Sequence, residues 1–291
     1  MPVDVPKALA ASLPEVPYAW DADRVILYHL GIGAGADPTA PGELEYAYEK
    51  HLKVLPSFAV VPAFPFVGAI ARIPGLAVNV ALILHGEQDV ELHRPIPTQA
   101  KVVTRGRVAG VYDKGKAALV VLEADTATEA GERLFTNRFS IFCRGEGGFG
   151  GESGPGPHEP AGFAAGNEPP SRKPDHEFES ATLPQQALLY RLSGDKNPLH
   201  ADPEFAKLGG FDRPILHGLC SFGAVCKAVV DGAVGGDVAR VARVQGRFAG
   251  VVYPGETIVT SVWAEGSRLL LAARTKERGT PVLSHAAIAL R

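Results

Sequence analysis

The densest chemistry in the chain is one short loop, Ser193-Gly194-Asp195-Lys196-Asn197-Pro198-Leu199-His200-Ala201-Asp202-Pro203. It places two carboxylates, an amide and an imidazole close together, with Gly and Pro setting the backbone. Asp and His are the side chains that move protons near neutral pH. Held in one loop, Asp195 and His200 can share a water molecule, one group polarising it and the other taking its proton. Turn building accounts for the same residues, because Asp and Asn ahead of Pro make Asx-turns. At Asp202 turn building is the better account, with Asp202 as N-cap and Pro203 at the first helical position. For Asp195 and His200 the two accounts stand level.

A second feature is Arg213-Pro214-Ile215-Leu216-His217-Gly218-Leu219, where a long helix should begin. Unpaired N–H groups at a helix start, with a Gly among them, suit a negative oxygen as it develops. A Gly chosen for close packing explains Gly218 equally well. His217 reads as a structural histidine. No pair among the nine histidines has metal-ligand spacing beside a Cys or a carboxylate, so no metal is expected.

These segments need elements to hold them. Leu219, Phe222, Val225 and Val229 recur at helical spacing, so one stripe of that helix faces a core, and Gly232, Gly235 and Gly236 mark its end. After it, residues 241–250, 256–264, 268–276 and 282–290 read as strands split by turns. In the first part of the chain, residues 90–96, 100–112, 117–128 and 133–143 read likewise. Between the two sets lies residues 145–174, where half of the positions are Gly or Pro, the composition of a linker that buries little and orders poorly. The expected organisation is a first half over 1–144, a linker over 145–174 and a second half over 175–291.

The halves echo each other. Ile26-Leu27-Tyr28-His29-Leu30 precedes a Gly-rich loop and Ala36-Asp37-Pro38; Leu188-Leu189-Tyr190-Arg191-Leu192 precedes a longer polar loop and Ala201-Asp202-Pro203. Residues 91–103 find a counterpart in 247–259. A diverged duplication follows, each copy an α+β unit with a short helix, a loop, a longer apolar helix and several strands.

Composition narrows the class. The chain has 291 residues, 46% apolar and 21% charged, which excludes disorder over most of its length. A net charge of −3 without a basic run argues against nucleic acid. Cys143, Cys220 and Cys226 form no CxxC and cannot all pair, which points to a reducing compartment. The charge-free stretch 54–71 carries Pro56, Pro62 and Pro65, and so reads as a buried element instead of a membrane span. No secretory or organelle signal is apparent, and the expected location is the cytoplasm.

The string YRLSGDKNPLHADPEFA followed by FDRPILHGL resembles the signature of the MaoC-like (R)-specific enoyl-CoA hydratases, the hydratase 2 group. LYHLGIGAG, LPSFAVVPAF, LHGEQDVELHRPIP, YDKGKAALV and RGEGGFGG are similar to the first half of their two-domain form. The resemblance implies a double hot-dog fold, each half a long helix wrapped by an antiparallel sheet. It implies reversible addition of water to a trans-2-enoyl-CoA, giving a (3R)-3-hydroxyacyl-CoA in fatty-acid or sterol side-chain β-oxidation.

By that resemblance Asp195 and His200 hold the water as acid/base pair, Asn197 orients it, and Gly218 donates its N–H to the thioester carbonyl. Substrate contacts fall on His85, Gly86, Lys114, Lys196, Pro198, Leu199 and Phe248, with Lys114 facing a CoA phosphate. The first half, with Gly-Ile-Gly-Ala-Gly in place of the Asp-Asn-His loop, would bind the acyl tail, with Phe58, Phe64 and Phe66 lining its pocket. No cofactor is implied, CoA being part of the substrate; a homodimer is. The rivals are a hot-dog acyl-CoA thioesterase and a non-catalytic acyl-CoA-binding subunit.

Overall fold

The computed structural model describes residues 3–79, 82–154 and 166–291. Its strands are β1 (Val16–Trp20), β2 (Ile83–Leu92), β3 (Ala100–Asp113), β4 (Ala117–Thr128), β5 (Arg133–Arg144), β6 (His176–Ala181), β7 (Val241–Phe248), β8 (Thr257–Glu265), β9 (Arg268–Thr275) and β10 (Pro281–Leu290). The helices are α1 (Val5–Leu9), α2 (Ala22–Gly31), α3 (Pro41–Ala47), α4 (Val60–Ala63), α5 (Pro65–Ala69), α6 (Gln186–Tyr190), α7 (Pro203–Leu208) and α8 (Gly218–Ala233).

The strands form one antiparallel sheet in the order β1-β3-β4-β5-β2-β7-β10-β9-β8-β6. Read inward from either edge the order is the same, with β6, β8, β9, β10 and β7 standing for β1, β3, β4, β5 and β2. The halves meet where β2 pairs with β7, and Asp89 sits opposite Gln245 at that seam. The echo between 91–103 and 247–259 falls on the ends of β2 and β7 and the starts of β3 and β8. The internal repeat is therefore a pseudo-twofold relation within one sheet.

Charge locks the seam. The Asp89 carboxylate is fully buried and takes two bonds from Arg243 across the halves, at 2.7 Å each, and one from Arg138 at 2.9 Å. Arg247 reaches back to Glu87 at 2.7 Å. A buried carboxylate is tolerable only when paired this completely.

In the second half, α8 packs on β6, β7, β8 and β10 with Leu219, Phe222, Val225 and Val229 buried, as the spacing predicts. It ends at Gly235 and Gly236, both with positive φ. Gly232 is instead inside the helix, where a Cβ would stand 2.3 Å from the Phe178 ring. The first half departs from the expected long helix. Its counterpart is broken into a 3₁₀ turn over Pro56–Ala59, then α4, α5 and a second 3₁₀ turn over Ile70–Arg72. Pro65 lacks an N–H and its ring crowds the carbonyl four residues back, so one continuous helix cannot form.

Two other expectations shift. The strand expected over 90–96 is β2, which starts earlier and stops at Leu92, short of Pro95. The edge strands β1 and β6 carried no clear signal; each has one neighbour, which lets β1 accommodate Pro17. The Gly/Pro-rich stretch is tied down at both ends. Asp113 accepts N–H bonds from Gly115, Gly148 and Gly150, while the Trp263 indole donates to Arg172. Residues 155–165 of that stretch lie outside the described residues. Among the described residues no helix is long and apolar enough to cross a membrane.

Candidate active site

The loop between α6 and α7 is built by its own polar side chains. Gly194, at φ 131°, turns the chain out of the 3₁₀ turn Arg191–Ser193. Asp195 Oδ1 then accepts from the Asn197 N–H at 3.0 Å, and Asn197 Oδ1 accepts from the Leu199 N–H at 3.0 Å, capping the turn Pro198–His200. Arg191 braces the loop by donating to the Lys196 carbonyl at 3.2 Å. Asp202 caps α7 through the N–H groups of Glu204 and Phe205. Turn building is thus seen directly, and it does not exclude chemistry at the same residues. The Asx-turn occupies one oxygen of Asp195 and leaves the other free.

That free oxygen, Oδ2, lies 4.0 Å from His200 Nε2. The distance is too long for a direct hydrogen bond and fits one bridging oxygen, since two bonds of about 2.8 Å spanning it open an angle of roughly 90°. The His200 ring is buried and its Nδ1 lies 2.9 Å from the Ile215 carbonyl. A carbonyl only accepts, so Nδ1 carries the hydrogen and Nε2 presents a lone pair. Burial holds this imidazole below its usual range, with the Asp195 carboxylate opposing more weakly. A water between Asp195 and His200 therefore meets two acceptors.

Gly218 opens α8, so its N–H stands outside the helical ladder. The Phe248 ring lies against it, and a Cβ on Gly218 would be 3.1 Å from two ring carbons. Phe248 in turn packs on His85 of β2, with ring centroids 4.8 Å apart. Desolvation drives the pKa of the half-buried His85 down to about 4, and its Nε2 lies 3.0 Å from the Glu87 carbonyl across a bulge at Gly86. Gly86 is closely packed there, because a Cβ would stand 2.9 Å from the Phe142 ring and displace it. Through Phe248 the second-half helix start and the first-half strand form one surface.

Other predicted contacts are not gathered here. Lys114 is exposed in the β3–β4 turn, where its ammonium bonds the Ser153 carbonyl. Three strand spacings, roughly 14 Å, separate it from β2. The Lys196 side chain and Pro198 are exposed, and Leu199 is half-buried. Of the three phenylalanines expected to line a tail pocket, Phe58 is shut in between Trp20 and Tyr28, Phe66 covers Gly106, and Phe64 is half-buried. An open cleft of about 910 Å³ between α1, β3 and the residues around Phe149 holds no part of the loop.

The residue underrated by sequence is His217. Its ring stacks on His200 with centroids 3.7 Å apart, and its Nε2 lies 3.2 Å from the Asp195 carbonyl. One donor atom each from Asp195, His200 and His217 lie within 4.8 Å of one another. The spacing along the chain gave no such set. Two stacked imidazoles send their in-plane lone pairs side by side instead of onto one point, and His217 Nε2 is already bonded. The arrangement suits proton handling better than the tetrahedral ligand set of zinc.

The chain is similar to known proteins along nearly its whole length. A family profile described as the MFE-2 hydratase 2 N-terminal domain matches residues 18–145, and one described as a MaoC like domain matches 165–286. An enoyl-CoA hydratase of Mycobacterium tuberculosis is 44% identical, covering 97% of each chain. The peroxisomal enoyl-CoA hydratase 2 of Arabidopsis thaliana is 43% identical, covering 95% of this chain and 92% of that one. The crystal structure of a MaoC-like dehydratase from Phytophthora capsici superposes with a TM-score of 0.85 at 33% identity, over 99% of both chains. A more distant mycobacterial protein described as having a double hotdog fold shares the fold alone, with a TM-score of 0.58 at 14% identity over 99% of this chain and 98% of that one.

Proposed function

The chain belongs to the hydratase 2 group of MaoC-like enzymes, and from that premise we propose that it adds water reversibly to a trans-2-enoyl-CoA, forming the (3R)-3-hydroxyacyl-CoA. The observation that carries the mechanism is the 4.0 Å separation of two acceptors, Asp195 Oδ2 and His200 Nε2. One water donates a hydrogen to each and turns its lone pair toward C3 of the substrate. As the C3–O bond forms, one member of the pair takes a water proton and delivers it to C2 on the same face. Enolate charge accumulates on the thioester oxygen, where the Gly218 N–H and the positive end of α8 receive it. Asn197 keeps Asp195 Oδ1 engaged so that Oδ2 is the reacting oxygen.

The atoms balance with water alone, and the step as proposed calls on no cofactor or metal. The acyl tail runs toward the first half past Phe248 and His85, and the CoA end extends along the sheet toward Lys114. Replacing Lys114 with Ala should raise KM for the CoA ester and leave a truncated pantetheine thioester unaffected. Every group named comes from one chain; light scattering after size exclusion tests the homodimer implied by the resemblance. Three free, buried thiols fit a reducing compartment, and the cytoplasm is the proposed location.

The deciding experiment mixes the protein with a ladder of trans-2-enoyl-CoAs, follows loss of the enoyl-thioester absorbance and resolves the product on a chiral column. A (3R)-hydroxyacyl-CoA supports the reading, and the rate profile sizes the tail pocket. Release of free CoA would move the assignment to a thioesterase. Binding without turnover across straight and branched chains would move it to a carrier subunit.

A further inference from the structure

We propose that His217 is a positioning residue for the hydration, tying the Asp195 backbone to the start of α8 through its Nε2–H. The inference rests on the hydratase reading above. Three contacts define the role. His217 Nε2 lies 3.2 Å from the Asp195 carbonyl, so it carries the hydrogen and donates. One face of the ring stacks on His200 at 3.7 Å, and Tyr190 packs against it at 4.9 Å. The next residue in the chain is Gly218, the thioester donor.

The choice of imidazole needs a reason beyond filling space. His217 Nδ1 is buried and has no hydrogen-bond partner among the described residues. A phenyl ring would fill the same volume without leaving a polar atom unsatisfied. The reason must lie in the other nitrogen, whose bond joins the loop to the helix. With its carbonyl held by His217 and its Oδ1 held by Asn197, Asp195 cannot swing, and Oδ2 stays at its 4.0 Å station from His200. Burial also keeps the His217 ring neutral, so no second positive charge arises beside His200. The first half has lost both ends of this device: the polar loop is gone, and Pro56 stands at the start of its broken helix.

His217→Phe and His217→Gln separate the ring from the bond, and both are assayed beside the unaltered chain. Phe keeps the stack and removes the donor; Gln returns an amide N–H near the position of Nε2. The Phe variant should lose about 10- to 100-fold in kcat, the range of sub-ångström misplacement. Its KM should stay within threefold, and its Tm should change little, because relief of the unpaired nitrogen offsets the lost bond to the Asp195 carbonyl. Gln should recover most of kcat despite losing the stack. Wild-type kcat in Phe, or equal impairment of Phe and Gln, would overturn the role, as would a loss of kcat matched by a loss of Tm. Should Phe fail to fold, His217→Asn replaces it, since Asn holds its amide near Nδ1 and cannot reach the carbonyl. Gln active and Asn impaired supports the proposal, while equal activities refute it. An unaltered chain that hydrates no enoyl-CoA would instead overturn the hydratase reading itself.

Discussion

Asp195→Asn tests the dyad with almost no change of shape. The Asn197 N–H needs an acceptor, so the new amide must turn its oxygen to the place of Oδ1, 3.0 Å from that nitrogen. Its NH₂ group then occupies the place of Oδ2, 4.0 Å from His200 Nε2. The bridging water now meets a donor where it met an acceptor. It can no longer donate both hydrogens while aiming a lone pair at C3, and one route for its proton is lost. General acid–base catalysis contributes about 10²–10⁴ in rate, so kcat should fall by that factor, equivalent to roughly 3–5 kcal/mol. KM should change less than threefold, because Gly218 and the first half hold the ester. Residues that act as a unit fail together, so adding His200→Ala to Asp195→Asn should lower kcat little further. The assay is loss of enoyl-thioester absorbance under saturating substrate for both single variants and the double. A variant keeping a tenth of wild-type kcat would refute the shared water, and so would strictly additive losses.

At Gly218 two substitutions separate bulk from hydrogen bonding. Ala puts a Cβ 3.1 Å from Phe248; Pro adds similar bulk, suits a first helical position after extended His217, and removes the N–H. Steady-state kinetics should place Pro about 10²–10³ below Ala in kcat, the contribution of one oxyanion donor. Because burial lowers the His200 pKa, the acid limb of the kcat/KM profile should lie below about pH 6.5, with activity lost as pH falls through the lowered value. Stability should follow the same sign. His29 and His85 are held near pKa 4 by burial but titrate near 6.5 when unfolded, so stability is full above pH 6.5 and lost toward pH 4. Each contributes about 3 kcal/mol to that loss, readable as a falling urea midpoint, and a flat midpoint from pH 7 to 5 would contradict it. Asp89→Ala leaves Arg243 and Arg138 facing a buried gap at the seam and should destabilise by about 3 kcal/mol or more in urea unfolding.

Much of this protein is legible in short stretches of sequence. The Asp195–His200 loop makes its own turns, because its hydrogen bonds run between residues two apart. The stripe on α8 and the alternating strands are periodic within one element, and the duplication needs only a comparison of segments. Gly218 could be placed at a helix start because the pattern after it is helical.

What stayed hidden depends on residues that are distant in the chain. Phe248 meets His85 only because β2 pairs with β7, and Asp89 meets Arg243 at the same seam, 154 residues apart. The first-half helix shared the apolar composition of its counterpart, but backbone geometry at proline overrode that composition and broke it. The edge strands were missed because a strand with one neighbour needs little apolar alternation. His217 looked structural because a lone histidine carries no sign of its neighbours. Folding brings its ring onto His200 and its Nε2–H to the Asp195 carbonyl, 22 residues away. Local hydrogen bonds and periodicity thus fixed which side chains could move a proton; only the packing of loop, helix start and seam decided which of them touch.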